Sequence, residues 1–357
     1  MNRLCAFNFF PQVTSLTLSC GSGSDSRLQF ITRTRTANGQ QVGAKNQEQI
    51  VSPDSSFCLR VMRRLGWFVL SLLLSVGVLP GTLDPAAAAQ KEAPVRGLWV
   101  WKGPSIVAEP QGVEKLLSFC QSEGINEVYI SVSSHGTMLA GNFPHLIDLL
   151  HRNRVRIEAL LSSEDAAEPG KHRGKLLGEA EEIIRFNQNH PKSRFDGIHL
   201  DIEPQQRPEN KGPGNLRFLP GLAEVYRAVR HVAEPAQLTV NADIQNKLLK
   251  GDLAQRKLLL SSLPRLTLML YEVGSHDGES IQQKTDTLRS ASQKFLDMAY
   301  AGLQDTDLAE MVIGLRTPDY GELLPQMLLS LDSANRTNQH YLGWARHSYN
   351  DSLQGSH

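Results

Sequence analysis

Between Phe195 and Pro204 the sequence reads Phe-Asp-Gly-Ile-His-Leu-Asp-Ile-Glu-Pro, with ionisable groups at the alternate positions His199, Asp201 and Glu203. In a β-strand successive side chains point to opposite faces, so these three share one face and Ile198, Leu200 and Ile202 share the other. The apolar face must pack against other elements. The polar face then points into an interior, where a charge is costly without a partner or a role. Alternate residues stand roughly 6.5–7 Å apart, near enough for two carboxyls to push their pKa values apart. One group can then stay protonated while the other stays charged. Glu203, last on the strand and nearest to a ligand, is the natural proton donor.

The same trio offers ligands to a metal, so a metal-dependent hydrolase is an alternative chemistry. Metal-binding barrels generally recruit several histidines from different strands. Here His145, His151, His172, His190 and His231 fall in helical or loop patterns. The reading adopted therefore calls for no metal and no other cofactor.

The elements that must position this strand follow a regular rhythm. Apolar, β-rich runs occur at Val95–Trp101, Glu127–Val132, Val155–Leu161, Phe195–Ile202, Gln237–Ala242, Leu266–Glu272, Met311–Leu315 and His340–Trp344. Amphipathic stretches lie between them at Val113–Ser122, Phe143–Arg152, Lys175–Asn189, Leu219–Val232, Lys247–Ser261, Ile281–Gly302 and Glu322–Ala334. Eight strands alternating with seven helices are repeated βα units. An open doubly wound sheet usually carries a Gly-rich phosphate turn after its first strand. The first strand here ends Val100-Trp101-Lys102-Gly103-Pro104 instead. The expected fold is thus a single α/β domain, a (β/α)8 TIM barrel, spanning residues 90–357. Only Ala345 to His357 follow the eighth strand, so its last helix is expected to be short or absent. Such barrels place their chemistry at the C-terminal ends of the strands.

Upstream, Met62-Arg63-Arg64 precedes an apolar run from Leu65 to Leu79, and Gly81, Pro85 and Ala86 to Ala89 follow. Basic, apolar and small-residue parts in that order read as a secretory signal peptide over 62–89. The apolar run of about 15 residues is short of the roughly 20 needed to span a bilayer. The expected location is secreted or periplasmic, with a membrane anchor as the alternative if the segment is not cleaved. Residues 1–61 are rich in Ser, Thr, Gln and Asn and carry no sustained period. They read as a disordered leader or as an over-extended start, with Met62 the true one; a long organelle-targeting presequence is the other reading.

Over the whole chain 37 basic side chains balance 37 acidic ones. Residues 1–89 hold 8 of the basic and 4 of the acidic groups, leaving 29 against 33 and a net charge of −4. Neither balance suits a nucleic-acid or anionic-membrane binder, which needs a concentrated positive field. Cys5, Cys20 and Cys58 lie in the upstream part, and Cys120 beside Leu116, Leu117 and Phe119 reads as a small buried hydrophobe.

The fourth-strand segment Asp196-Gly197-Ile198-His199-Leu200-Asp201-Ile202-Glu203 resembles the Asp-Gly-x-Asp-x-Asp-x-Glu strand of the family 18 glycoside hydrolases, the chitinases and endo-N-acetylglucosaminidases. On the sixth strand Met269-Leu270-Tyr271-Glu272 is similar to that family's Met-x-Tyr-Asp. Trp344 on the eighth stands where the family often has a tryptophan floor beneath the sugar. Three departures set the chain apart from a chitinase proper. His199 replaces the middle aspartate, Glu272 stands where aspartate is usual, and the third strand ends Leu160-Leu161-Ser162-Ser163-Glu164 without Ser-x-Gly-Gly.

The resemblance implies a retaining glycosidase in which the substrate's own 2-acetamido oxygen attacks the anomeric carbon. Glu203 would protonate the glycosidic oxygen and later activate water. Asp201 would accept the acetamide N–H, and Tyr271 would donate to the acetamide oxygen. A protonated His199 would lower the pKa of Asp201 and keep it charged. Substrate-contacting candidates are His199, Glu272, Trp101, Trp344, Asn241 and Asp243. Asp243 reads equally well as an N-cap for the next helix. His135 and Gly136 could line the cleft. The implied partner is an N-acetylhexosamine glycan or cell-wall polysaccharide. Two-glutamate barrel glycosidases fit less well, because the seventh strand, Met311-Val312-Ile313-Gly314-Leu315-Arg316, offers no acid. A glycan-binding barrel without catalysis is the alternative outside the enzymes.

Overall fold

The computed structural model describes residues 93–354 apart from 135, 213 and 274–277, together with two short segments near the N-terminus. The chain divides into two units, Met1–Gln90 and Lys91–His357. In the first, Cys5–Phe7 pairs antiparallel with Leu16–Leu18. The signal-peptide segment and the rest of the leader lie outside the described residues. Among the described residues no helix is long and apolar enough to cross a membrane.

The second unit is a closed parallel barrel of eight strands: β1 Val95–Val100, β2 Glu127–Ser131, β3 Arg156–Ser163, β4 Gly197–Ile202, β5 Thr239–Gln245, β6 Arg265–Met269, β7 Glu310–Arg316 and β8 Tyr341–His347. Each strand pairs with its sequence neighbours, and β8 closes on β1. Among the described residues seven helices of eight residues or more wrap it: α1 Gly112–Glu123, α2 Phe143–Arg152, α3 Lys171–Asn189, α4 Leu219–Ala233, α5 Leu253–Leu260, α6 Ile281–Tyr300 and α7 Leu324–Asn335. Among the described residues β8 is followed by the six-residue helix Tyr349–Gln354, in line with the short final helix expected.

Two boundaries differ from the sequence reading, each for a local reason. The stretch expected as one helix over Lys247–Ser261 is a 3-10 turn, Asn246–Lys250, and then α5. Asp252 and Gln255 close a reciprocal capping box, so the chain starts a new helix there. The sixth strand stops at Met269, because Glu272 adopts a left-handed φ of 63° that a strand does not accommodate. Tyr271 and Glu272 therefore sit on the loop above β6.

Most apolar side chains form one core between barrel and helices, including Ile198, Leu200 and Ile202. A second cluster, Trp99, Tyr129, Leu160, Val312 and Ala345, fills the barrel itself. Gly314 makes room for it: a Cβ there would lie 2.7 Å from the Trp99 ring.

Candidate active site at the C-terminal mouth of the barrel

The alternation along β4 holds. Ile198, Leu200 and Ile202 are buried against the helices, while His199 and Asp201 point inward and Glu203 follows directly after the strand. The two residues that open the motif are structural. Asp196 accepts the Ile157 backbone N–H at 2.8 Å and pairs with His151 at 2.9 Å, tying the start of β4 to β3 and α2. Gly197 keeps a Cβ away from Thr239 Oγ1 and from Glu158 Oε1, which would lie 2.3 and 3.1 Å from it.

His199 is fully buried and both ring nitrogens are engaged. Nδ1 meets Glu158 Oε2 at 3.1 Å and Nε2 meets Asp243 Oδ1 at 2.8 Å. The Tyr129 ring stacks on the imidazole at 3.8 Å. Trp99 Nε1 donates to the other Asp243 oxygen at 2.9 Å. Asn241 and Arg265 donate to Glu158 at 2.7 and 2.8 Å, and Arg265 also pairs with Glu127. Burial by itself would strip the proton from His199, but Asp243 and Glu158 overcome it and raise the pKa to about 9. Burial also works against the Glu158 charge, yet Arg265, His199 and Asn241 outweigh it and bring that pKa down to about 2. His199 is thus a cation locked between carboxylates.

Above this layer Asp201 has a different environment. Its Oδ1 is buried without a hydrogen-bond partner among the described residues. Burial pushes its carboxyl well above the usual range, and Asp243 and Glu203 push it further. His199 opposes them and loses. This corrects the expectation that a cationic His199 keeps Asp201 charged: His199 does lower the Asp201 pKa, but burial first and then Asp243 and Glu203 outweigh it. Tyr271 Oη is likewise buried and unpartnered. Burial raises its pKa well above 10, helped by Asp243, Asp201 and Glu203.

Glu203 is held by three amides. Gln205 and Gln245 donate to Oε1 at 3.0 and 2.7 Å, and Gln206 donates to Oε2 at 3.3 Å. Its backbone N–H is fixed by Ser163 O at 3.1 Å. Gln245 ends β5, whereas Gln205 and Gln206 lie in the 3-10 turn after Glu203.

The remaining candidates divide. Trp101 is at the mouth, where its Nε1 donates to His347 Nε2 at 2.8 Å. His347 also lies against Trp99 and Tyr271, with ring centroids 5.7 and 5.5 Å away. Trp344 belongs to the core between barrel and helices, so it forms no floor beneath a sugar. A register shift opposite Gly343 sets the phase of β8, and the inward aromatic at its end is His347. Asp243 caps no helix: it is buried inside the barrel, bound to His199 and Trp99. Asn241 is buried below it, bound to Glu158, and borders the cavity of about 680 Å³ at the barrel's N-terminal end. Glu272 is exposed and pairs with Arg316 at 3.5 Å, away from the inward face. His135 lies outside the described residues, and Gly136 faces open space. Cys120 is buried, and burial pushes its thiol up to about 12.

Sequence reasoning missed Glu158, Gln245, His347 and Arg316. Glu158 alone left a signal, as a lone acid in an otherwise apolar run, Ile157 to Leu161. Arg316, at the end of β7, packs over the Tyr271 ring and pairs with Asp319 at 2.7 Å.

No family model matches the sequence, and comparison with curated proteins finds no match. The structure is similar to the PgaB (BpsB) glycoside hydrolase domain of Bordetella bronchiseptica at 13% identity and a TM-score of 0.46, over 74% of this chain and 96% of that domain. It is similar to a chitinase from Chromobacterium violaceum at 12% identity and a TM-score of 0.38, over 63% and 69% of the two chains. For the spore cortex-lytic enzyme SleL of Bacillus megaterium the values are 12% and 0.41, over 64% of this chain and 52% of that one, so this chain spans about half of SleL. The barrel is established by its own closed ladder of parallel strands.

Proposed function

We propose that the protein is an exported glycoside hydrolase that cleaves an N-acetylhexosamine-containing glycan by a retaining, substrate-assisted route. The observation that carries the reading is the convergence of Asp201, Glu203 and Tyr271 at one end of the barrel, with Asp201 Oδ1 and Tyr271 Oη buried and without a hydrogen-bond partner among the described residues. Buried polar atoms left unsatisfied in the free protein are what a ligand with matching groups completes. An acetamido group has those matches, an N–H for Asp201 Oδ1 and an oxygen for the Tyr271 hydroxyl.

Glu203 passes a proton to the glycosidic oxygen, which leaves with the electron pair of its bond to the anomeric carbon. A lone pair of the acetamido oxygen closes on that carbon. Water then loses a proton to Glu203 and opens the cyclic cation, giving retained configuration. Asp201, whose carboxyl burial and then Asp243 and Glu203 push toward the protonated form, accepts the acetamido N–H through Oδ1 and so orients the attacking oxygen. His199 acts from beneath by fixing Asp243. Both of its nitrogens are committed to carboxylates, which leaves it no lone pair for a metal.

The test is a screen of N-acetylhexosamine oligomers and peptidoglycan fragments with wild type beside Glu203→Gln. Turnover by wild type that is lost in the variant is the expected result. Equal activity in both removes the proposed acid. Glycan binding without cleavage, unchanged in the variant, makes the protein a lectin-like barrel instead.

A further inference from the structure

The three glutamine amides treat the two Glu203 oxygens unequally. A carboxylate oxygen offers about two lone-pair positions. Oε1 already accepts two N–H groups, from Gln205 at 3.0 Å and Gln245 at 2.7 Å. A proton on Oε1 has to displace one of them. Among the described residues Oε2 accepts only the longer contact from Gln206, at 3.3 Å, which leaves one of its positions open.

The donors also differ in how firmly they are held. Gln245 is the last residue of β5, where its backbone lies in register with Met269 of β6. Gln205 is buried in a turn that is pinned from outside: Asn210 Nδ2 donates to Pro204 O at 2.8 Å, and Arg217 donates to Asn210 Oδ1 at 3.1 Å. Gln206 is exposed, and both its backbone N–H and its side-chain amide reach back only to Glu203 among the described residues.

We infer that Glu203 exchanges its proton through Oε2, that Gln205 and Gln245 are positioning residues holding Oε1, and that Gln206 covers the reacting oxygen until substrate displaces it. The inference rests on the proposed glycosidase reading. The Gln206 amide nitrogen, 3.3 Å from Oε2, marks where the leaving glycosidic oxygen arrives. On its arrival the proton moves from Oε2 to that oxygen, and Oε1 keeps both of its donors throughout.

The test compares kcat and KM for Gln245→Met, Gln245→Asn and Gln206→Ala, with Glu203→Gln run in parallel on the same N-acetylhexosamine oligomers. Methionine fills the volume of Gln245 but donates nothing, so the carboxyl is free to turn. A misaimed acid of this kind costs up to about 100-fold in kcat with little change in KM. Gln245→Asn keeps the amide but withdraws it by one methylene, and is expected to lose less. Gln206→Ala is expected to lower KM, because substrate no longer competes with the cover. Thermal unfolding of each variant separates a lost fold from a lost position, and Gln245→Asn serves if Gln245→Met does not fold. If Glu203→Gln is dead while both Gln245 variants keep the wild-type kcat, this inference fails and the glycosidase reading stands. If Gln206→Ala loses kcat as Gln245→Met does, the cover role fails. Absence of turnover by wild type sinks both.

Discussion

Two polar layers are stacked inside this barrel, and they are built on opposite terms. In the lower one, Glu127, Arg265, Glu158, His199 and Asp243 form an unbroken chain of ion pairs and hydrogen bonds, and Trp99 and Asn241 satisfy oxygens that the charges leave over. In the upper one, Asp201 Oδ1 and Tyr271 Oη have no hydrogen-bond partner among the described residues, and Asp201 lies near the acids Asp243 and Glu203. Buried polar networks are stable when fully satisfied and costly when they are not. The lower layer, in which every charged group is paired although Arg265 Nε and Tyr129 Oη have no partner among the described residues, therefore supports the fold and aims the groups above it. The upper layer holds the polar atoms that the proposed substrate would satisfy. Both descend from one strand, with His199 serving the first and Asp201 and Glu203 the second.

Mutations separate the two layers. Glu203→Gln is expected to cost about 100- to 10,000-fold in turnover, the usual range for a general acid–base, with little change in the unfolding midpoint. Equal loss of stability would move Glu203 into the supporting layer. Glu158→Ala is expected to do the reverse. It takes one of two carboxyl partners from His199, which keeps Asp243, and from Arg265, which keeps Glu127, at a cost of about 3–5 kcal/mol read by urea unfolding, because breaking a buried pair leaves charge under-compensated. A variant as stable as wild type would show that the lower layer supports nothing.

The same contrast governs pH. The pKa of His199 rises on folding from 6.5 to about 9, so its contribution is full below pH 6.5 and is lost as pH climbs through 9. That of Glu158 falls from 4.5 to about 2, so its contribution is full above pH 4.5 and is lost as pH drops towards 2. Urea midpoints should form a plateau between these flanks, and His199→Gln should abolish the alkaline one. An alkaline flank that survives in His199→Gln would assign it to another group. The smallest expected effect belongs to Asp201→Asn. Removing an acid that folding forces to hold its proton is expected to raise stability by about 0.5–2 kcal/mol at neutral pH while activity falls, a trade-off common at functional sites. A destabilised variant would place Asp201 among the supports.

Much of the barrel was legible in the chain. Branched apolar runs spaced by amphipathic stretches announce βα units, and the alternation at His199, Asp201 and Glu203 survives because a pleated strand has no other way to arrange them. What resisted was the phase and the partners of the other strands. Trp344 and His347 lie three residues apart, and one register shift beside Gly343 decides that the histidine faces inward. Asp243 looked like a helix cap because it precedes a helical pattern, yet a capping box at Asp252 took that role further along.

Local sequence thus determined the repeating units and the inward face of β4, because each depends on periodicity within a few residues. Only the closed barrel decided that Glu158, from a strand 41 residues back, and Asp243, from one 44 residues on, clamp His199. It also decided that Gln245 reaches Glu203 across 42 residues. Charge on a buried group is set by what surrounds it in space, and no spacing along a chain records that.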